Sequence, residues 1–463
     1  MVSVPAELLQ RLAAPGGGQV ALIIGAGCSI AHPTAIPLAG DLAEEAVRQL
    51  ILNGRLQPGE CQNPRDLGAL ASLIYQLSGG QAELVQTFPL DRMRLAVPNA
   101  GYKLLIALMA EGAISHVLSL NFDLAVQHAA SALGVEIEVV TATGGQVPVR
   151  PTLVHLHGNA DSHPDDMVLR VEEITGGWID GWQQVVAQQI LGAPVVLFAG
   201  LGSAAPVLTA TIDMIQGALD GNKILYQADP NPFETNGFAA QLQIPEERYI
   251  IGNWNDLLKK LGERIAADQV AALSVNGGSL LRENAFEEPD RDRFAALVGK
   301  HNQLALLTLG KLRAFAALDA RKLYRPHSLR DDELIAEPMV KLAHLAEGLG
   351  FEAHPTPAGT WVLKRGDRQV AQLVLATGGG VRRMAAIEPR AKDVCDCIEE
   401  NSSVPLDFIL VGGVVADVPP LGHIDLIADE DPADIVGGLT RPLLVSANDE
   451  DYIDVIGRLL NVA

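Results

Sequence analysis

Short apolar runs that each stop at a small or polar residue recur through the first half of the chain. The first such run, residues 20–24, is followed by glycine, and the later ones end near asparagine, histidine, glycine or aspartate. Runs of this kind are typical of strands buried on both faces of a parallel sheet. The predicted strands are residues 20–24, 114–120, 135–141, 152–156, 194–199 and 223–228. Because helical segments separate them, the sequence predicts an α/β fold with a Rossmann-like doubly wound parallel sheet.

The length of 463 residues allows two or three domains. We expect the Rossmann-like domain to cover residues 1–270, with a helical insertion at about 41–110. A pair of glycines, Gly277-Gly278, precedes acidic and polar residues, which predicts a linker at 271–290. A C-terminal α/β domain is predicted for 291–463. Its helical stretches are 293–323 and 333–349, and its strand-like runs are 360–364, 370–376, 408–411 and 442–445.

Composition restricts the setting and the partners of the chain. A formal net charge of −22 disfavours direct nucleic-acid binding and anionic membrane surfaces. The chain has four cysteines and no CxxC pair, which favours a reduced, intracellular environment. The N-terminus lacks the basic start and long apolar run of a signal peptide, and the uncharged residues 181–211 are interrupted by glycine, proline and glutamine. We therefore expect a cytoplasmic protein.

The turn after the first predicted strand contains Gly25, Ala26, Gly27 and Ser29. Glycines at this place allow a backbone to approach a pyrophosphate, and a following helix would offer free N–H groups. The turn is not a complete GxGxxG motif, because position 30 is isoleucine. A tight strand-to-helix connection is the alternative interpretation.

Two polar motifs follow the next strands. Asn121 and Asp123 suit either a chemical site or the capping of the helix that follows. His155 and His157 alternate, so they would share one face. No carboxylate or cysteine cluster accompanies them at metal-ligand spacing, which argues against a metal site. A histidine at the mouth of the sheet is better suited to acid–base work.

Two later segments also follow predicted strands. The small residues Gly200, Gly202 and Ser203 suit a loop that lies against a ribose or a phosphate. Asp229 would accept hydrogen bonds from ribose hydroxyls, or it would start a turn with Pro230. Since the carboxyl ends of parallel strands lie along one edge of a sheet, all five segments together predict a ligand site at that edge.

This combination of segments resembles the Sir2 family, specifically its bacterial Sir2-like branch, over about residues 15–265. The matching segments are Gly25-Ala26-Gly27-Cys28-Ser29, Ile36-Pro37, Leu120-Asn121-Phe122-Asp123, Leu156-His157-Gly158, Gly200-Leu201-Gly202-Ser203 and Asn253-Trp254-Asn255-Asp256-Leu257-Leu258. The resemblance implies that the chain binds NAD as a substrate.

The resemblance also implies roles for individual residues. Asn121 would orient the nicotinamide ribose and a water, His157 would be the general base on a ribose hydroxyl, and Asp123 would support this site. The glycine turn would hold the pyrophosphate. The predicted NAD-binding residues are Gly25, Ala26, Gly27, Ser29, Gly200, Gly202, Ser203 and Asp229.

The chain departs from the Sir2 deacylases at three places. No cysteine lies between Cys61 and Cys395, where deacylases carry a zinc module of two CxxC pairs. Ile36-Pro37 is followed by leucine and alanine rather than by the deacylase DFR segment, and the loop at Ser203 lacks the family's aspartate. The first two differences argue against protein deacylation and predict no metal.

The zinc-free Sir2-like branch is similar to NAD hydrolases of anti-phage defence. The sequence therefore predicts an NAD hydrolase that releases nicotinamide and ADP-ribose. Because NAD depletion is toxic, we expect control by homo-oligomerisation or by a partner such as a HerA-type ATPase or a short Argonaute, with residues 291–463 as the regulatory or interaction domain. The alternatives are an NAD-dependent protein deacylase and a non-catalytic nucleotide-binding subunit.

Overall fold

The computed structural model describes residues 2–141, 151–175, 193–202, 210, 224–377, 384–401, 406–412, 443–447 and 450–461. The chain divides into two compact units, Met1–Arg264 and Ile265–Ala463. Among the described residues, no helix combines the length and the apolar character needed to cross a bilayer.

The first unit is built around a seven-stranded sheet in which every neighbouring pair is parallel. Its strands are β1 (Val20–Ile24), β2 (Ile114–Ser119), β3 (Glu138–Val140), β4 (Thr152–His155), β5 (Val195–Ala199), β6 (Ile224–Asp229) and β7 (Tyr249–Ile251). The central strands β1 and β5 are buried along their whole length, as expected of parallel strands covered on both faces.

The strand order is β3-β4-β2-β1-β5-β6-β7. The chain places β2, β3 and β4 on one side of β1 and then β5, β6 and β7 on the other. The order therefore reverses beside β1, and ligands of open α/β sheets bind at such a switch point, outside the carboxyl ends of the strands. The predicted Rossmann-like, doubly wound sheet is confirmed. The short strand β7 was not predicted.

Helices fill much of the rest of the first unit. They are α1 (Ala6–Leu12), α2 (Ala39–Leu52), α3 (Leu67–Ser78), α4 (Ala82–Val85), α5 (Leu90–Arg94), α6 (Ala100–Ala110), α7 (Ala125–Leu133), α8 (Val171–Thr175) and α9 (Gly237–Gln241). The segment between β1 and β2 is helical, as the sequence predicts, because α2 to α6 lie within it.

The second unit combines helices with a five-stranded mixed sheet of order β12-β11-β10-β9-β8. Its helices are α10 (Trp254–Glu283, from residue 265 onward), α11 (Glu288–Lys300), α12 (Leu306–Ala316), α13 (Leu329–Leu349), α14 (Met384–Asn401) and α15 (Tyr452–Leu459). Its strands are β8 (Glu352–Pro355), β9 (Trp361–Arg365), β10 (Arg368–Thr377), β11 (Phe408–Gly412) and β12 (Leu443–Ser446). A second α/β unit is thus confirmed, and Trp361, Leu373 and Phe408 are buried in its core.

Two predictions for the second unit are wrong. The linker expected at 271–290 is largely helical, because α10 continues to Glu283 and α11 begins at Glu288. Gly277 lies within α10, where a Cβ would be 2.6 Å from the Phe294 ring. The glycine therefore permits close packing of the helices. The single helical stretch expected at 293–323 is two helices, α11 and α12.

Candidate active site

The loops after β1 and β5 pack directly against each other. Gly25 N–H donates to the carbonyl of Ala199, and Gly27 N–H donates to that of Gly200, both at 3.0 Å. A Cβ at Gly27 would lie 2.7 Å from the Cα of Gly200, closer than real Cβ contacts. Gly200 itself has φ +70°, and its Cβ would lie 2.6 Å from the nitrogen of Cys28. The glycines are therefore required for the contact between two loops.

This packing gives the glycines a role that their motif alone does not reveal. The N–H groups of Gly25 and Gly27 are used within the protein, so neither is free for a phosphate. Ala26 lies between them and lines the adjoining cavity. The predicted binding of a pyrophosphate by this turn stays a prediction.

A cavity of about 870 Å³ adjoins both glycine loops. Pockets for small molecules and cofactors span roughly 300–1,000 Å³, so the space suits a large ligand. Seven residues of the predicted site line it: Gly25, Ala26, Gly27, His157, Gly200, Gly202 and Asp229. Ser29, Asn121 and Asp123 do not line it, and Ser203 lies outside the described residues. Most of the remaining lining is apolar, including Leu120, Phe122 and Leu169.

Ser29, Asn121 and Asp123 meet in a buried polar cluster that also includes Tyr102. The Ser29 hydroxyl donates to Asp123 Oδ2 at 2.7 Å and lies 2.6 Å from the Tyr102 hydroxyl. Asn121 Nδ2 contacts Ser29 Oγ and the Tyr102 hydroxyl at 3.2 Å, and it donates to the Gly25 carbonyl at 3.1 Å. The cluster thus connects β2 and α6 to the back of the glycine turn.

The orientation of the Asn121 amide follows from these contacts. The Gly25 carbonyl can only accept a hydrogen bond, so the amide nitrogen must face it. Asn121 Oδ1 then remains buried without a hydrogen-bond partner among the described residues. A buried polar atom without a partner is costly and requires an explanation. A bound water or ligand would supply the missing donor.

Burial dominates the electrostatics of this cluster. It raises the pKa of Asp123, although the hydrogen bond from Ser29 acts in the opposite direction. It also raises the pKa of Tyr102 well above its usual value, and the nearby Asp123 adds to this effect. Tyr102 is therefore a neutral hydroxyl at neutral pH. Asp123 Oδ1 accepts from the Ala125 N–H at 3.1 Å, at the start of α7.

The two predicted histidines have different surroundings. His155 is fully buried, with its ring nitrogens 2.8 Å from Gln127 Nε2 and 3.1 Å from the Asn121 carbonyl. His157 lines the cavity. Burial lowers the pKa of each histidine to about 4. The imidazole of His157 is therefore neutral at pH 7, and its role as the general base stays a prediction.

Asp229 makes the turn that its sequence allows, and its contact with a ribose stays a prediction. It is buried at the end of β6, and its Oδ1 accepts from the backbone N–H and the side-chain amide of Asn231, at 2.9 and 2.8 Å. This is the turn expected before Pro230. Its Oδ2 would lie 2.9 Å from a Cβ at Gly202, so the second oxygen faces the other glycine loop at the cavity.

Sequence reasoning missed several residues that build this site. Tyr102 lies at the centre of the polar cluster, and Asn99 Nδ2 donates to the Cys28 carbonyl at 2.9 Å. Asn99 also caps α6 by accepting from the Tyr102 N–H. An asparagine before an apolar helix is a capping signal that could have been used. Arg65, which also lines the cavity, has no comparable sequence signal.

Comparisons with known proteins found structural likenesses only. No protein-family model matches the chain, and neither does any curated protein. A Sir2 homologue in complex with NAD is 14% identical, with a TM-score of 0.32 over 55% of this chain and 91% of that one. A mutant Sir2 homologue with ADP-ribose is 14% identical, with a TM-score of 0.33 over 56% and 96%. A Sir2 mutant with a p53 peptide and NAD is 14% identical, with a TM-score of 0.30 over 56% of this chain and 98% of that one.

Proposed function

We propose that the chain is an NAD hydrolase, which cleaves the nicotinamide–ribose bond to give nicotinamide and ADP-ribose. The observation that carries the proposal is the buried amide of Asn121. Its Oδ1 lacks a partner among the described residues, and its Nδ2 donates to the carbonyl of Gly25, which lines the same cavity as His157. The same Asn121 and His157 carry the resemblance of the sequence to the Sir2-like branch.

The geometry is suited to a reaction that builds positive charge on a sugar. When the C–N bond breaks, its electron pair stays on nicotinamide, which leaves as a neutral molecule and needs no general acid. The Asp123 carboxylate, held by the Ser29 hydroxyl, lies next to the amide of Asn121 and would stabilise the developing charge. In a water-excluded site, such preorganised groups have a larger effect than in water.

A water must then add to the ribose carbon and lose one proton. The reaction consumes NAD⁺ and water and yields nicotinamide, ADP-ribose and one proton. The imidazole of His157 is unprotonated at pH 7, as a general base must be, and it would take up that proton in the reaction. Burial lowers its pKa to about 4, so it is a weak base that would pass the proton on to solvent. Asn121 Oδ1, which needs a donor, would accept a hydrogen bond from the same water or from a ribose hydroxyl. The apolar lining, with Leu120 and Phe122, would limit access of other waters.

The defining experiment follows nicotinamide and ADP-ribose by chromatography after the full chain is mixed with NAD. We expect release by the parent protein, and a loss of roughly 10²- to 10⁴-fold in His157→Ala, the range for one acid–base group. Asn121→Ala should lose the activity as well. His163→Ala is the matched control, since His163 is an exposed histidine in the loop after His157.

The outcomes separate the candidate functions. Unchanged release in both variants would show that the chemistry lies elsewhere. Binding of ADP-ribose without release of nicotinamide would support the non-catalytic nucleotide-binding subunit. Deacylation of an acylated peptide in the presence of NAD would support the deacylase. As part of the same proposal, the hydrolase is a cytoplasmic anti-phage effector controlled by oligomerisation or by a partner protein, for which the sequence resemblance is the support.

A further inference from the structure

The charge of the cavity lining raises a question about its ligand. Around the cavity, the described part of the chain supplies two carboxylates, Asp66 and Asp229, and one permanently charged cation, Arg65. His157 adds no charge at neutral pH. A dinucleotide carries two negative charges on its diphosphate, and such groups require cations or N–H donors. The glycine turn supplies fewer donors than its motif suggests, because Gly25 and Gly27 donate to the protein itself.

We propose that Arg65 is the residue that binds the diphosphate of the ligand and that Asp41 and Glu44 hold it in place until the ligand arrives. This inference rests on the proposed function, since it names the partner of the NAD diphosphate. The Arg65 guanidinium donates to Asp41 Oδ1 at 2.6 Å and to Glu44 Oε2 at 2.7 Å. Both carboxylates lie on the first half of α2.

The ion pairs of Arg65 are easily exchanged. The Arg65 side chain is 58% exposed, and those of Asp41 and Glu44 are 50% and 47% exposed. Exposed ion pairs contribute little to stability because water screens both charges. A diphosphate offers the planar guanidinium a bidentate partner of higher charge density, so the exchange favours the ligand.

The start of α2 forms the wall beside Arg65. A Cβ at Gly40 would lie 3.4 Å from the terminal nitrogen of Arg65, an ordinary van der Waals distance, so the guanidinium packs directly against the start of α2. Ala39 and Gly40 begin α2, line the cavity and have no side-chain cap. Asp66 does not compete, because its Oδ1 caps α3 through the Ala69 N–H.

The test measures the binding of ADP-ribose and of adenosine, which has no phosphate, by titration calorimetry of the full chain. We expect Arg65→Ala to weaken ADP-ribose binding roughly 10- to 100-fold, the range for charge-assisted hydrogen bonds. Adenosine binding should not change. Arg65→Lys should recover only part of the affinity, because lysine lacks the guanidinium fork. Arg48→Ala is the matched control, since Arg48 is an exposed arginine of α2 paired with Glu45 and does not line the cavity.

A second variant acts in the opposite direction. Asp41→Asn combined with Glu44→Gln removes the two competing carboxylates, so ADP-ribose should bind several-fold more tightly. Removing two negative charges also favours any anion nearby, so the gain supports the role of Arg65 only if it is lost when Arg65→Ala is added to the double variant. Unchanged or weakened binding in the double variant would overturn the inference, as would equal effects of Arg65→Ala on ADP-ribose and adenosine.

The same data distinguish the two proposals. Nicotinamide release by the parent protein, with normal ADP-ribose affinity in Arg65→Ala, would overturn the role of Arg65 and leave the hydrolase intact. Arg65-dependent binding of ADP-ribose without nicotinamide release would support Arg65 and overturn the hydrolase. No binding of NAD or ADP-ribose by the parent protein would overturn both.

Discussion

Replacing Gly200 by alanine tests whether the two glycine loops pack as closely as they do because a side chain is missing. Two separate costs apply. Gly200 has φ +70°, and a residue with a Cβ loses about 1–2 kcal/mol in that conformation. The added Cβ would also lie 2.6 Å from Cys28 N and 2.8 Å from the Gly25 carbonyl, and such overpacking costs about 1–3 kcal/mol. We expect Gly200→Ala to lower the free energy of unfolding of the first unit by about 2–5 kcal/mol.

Gly54→Ala is the matched control for this substitution. Gly54 has φ +69°, but no atom in the described part of the chain lies within 4 Å of an added Cβ, so only the backbone cost of about 1–2 kcal/mol applies. Urea denaturation of both variants, with hydrogen exchange of the β1 and β5 amides, measures the difference. The contact between the loops predicts a larger loss for Gly200→Ala. Equal losses in the two variants would refute it.

Three further predictions concern the buried groups. Burial holds the pKa of both His155 and His157 at about 4, against 6.5 when exposed, so between pH 6.5 and 4 the unfolded chain binds more protons than the folded chain. As the pH falls, the two histidines should therefore lower the free energy of unfolding by up to roughly 2.7 kcal/mol per pH unit. When the free energy of unfolding from urea denaturation is plotted against pH, His155→Gln should show a shallower slope than the parent protein. Ser29→Ala leaves the buried Asp123 with one donor fewer and should cost about 1–3 kcal/mol in urea denaturation; no loss would mean that the bond contributes nothing. Trp361→Ala should lower the free energy of unfolding of the second unit, measured by hydrogen exchange, by about 3–5 kcal/mol, because it removes a buried side chain. ADP-ribose binding by the first unit should stay unchanged, and its loss would contradict the prediction.

The parallel sheet could be predicted because its signal is local. A central strand such as β1 or β5 is a continuous apolar run that ends at glycine, and both features are visible within ten residues. The edge strand β7 spans only Tyr249–Ile251, and its Ile251 is exposed. So short a strand carries no periodicity, and its pairing with β6 is decided by the tertiary structure.

The wrong prediction of a linker at residues 271–290 has a different cause. Gly277-Gly278 costs a helix about 1 kcal/mol per glycine relative to alanine, which favours an interruption. The cost is offset because Phe294 and Ala336 pack where the Gly277 side chain would be, while buried Leu273 and Leu281 hold the helix on either side. Packing between distant residues therefore decides the structure at Gly277. Among the described residues, nothing lies within 4 Å of a Cβ at Gly278, so that glycine has no such explanation.

At the candidate site, too, some residues could be identified from local sequence and others only from the fold. The sequence identified the polar residues at the strand ends because the topology of parallel strands brings them together. It did not identify Tyr102, because a tyrosine in the apolar helix α6 has the same pattern as a core residue. Ser29 and Tyr102 are 73 positions apart, and only the fold shows that their hydroxyls meet.

The contacts of the strand-end residues show which of them caps a helix, one of the two interpretations that the sequence left open for Asn121 and Asp123. Asp123 does act at a helix start, because its Oδ1 accepts from Ala125 N–H at the beginning of α7. Asn121 does not: its Nδ2 donates to the Gly25 carbonyl, 96 residues away. That bond fixes the orientation of the amide, and its Oδ1 has no partner among the described residues. The unpaired oxygen is the atom on which the proposed role of Asn121 in the reaction depends, since a bound water or ligand would supply its missing donor.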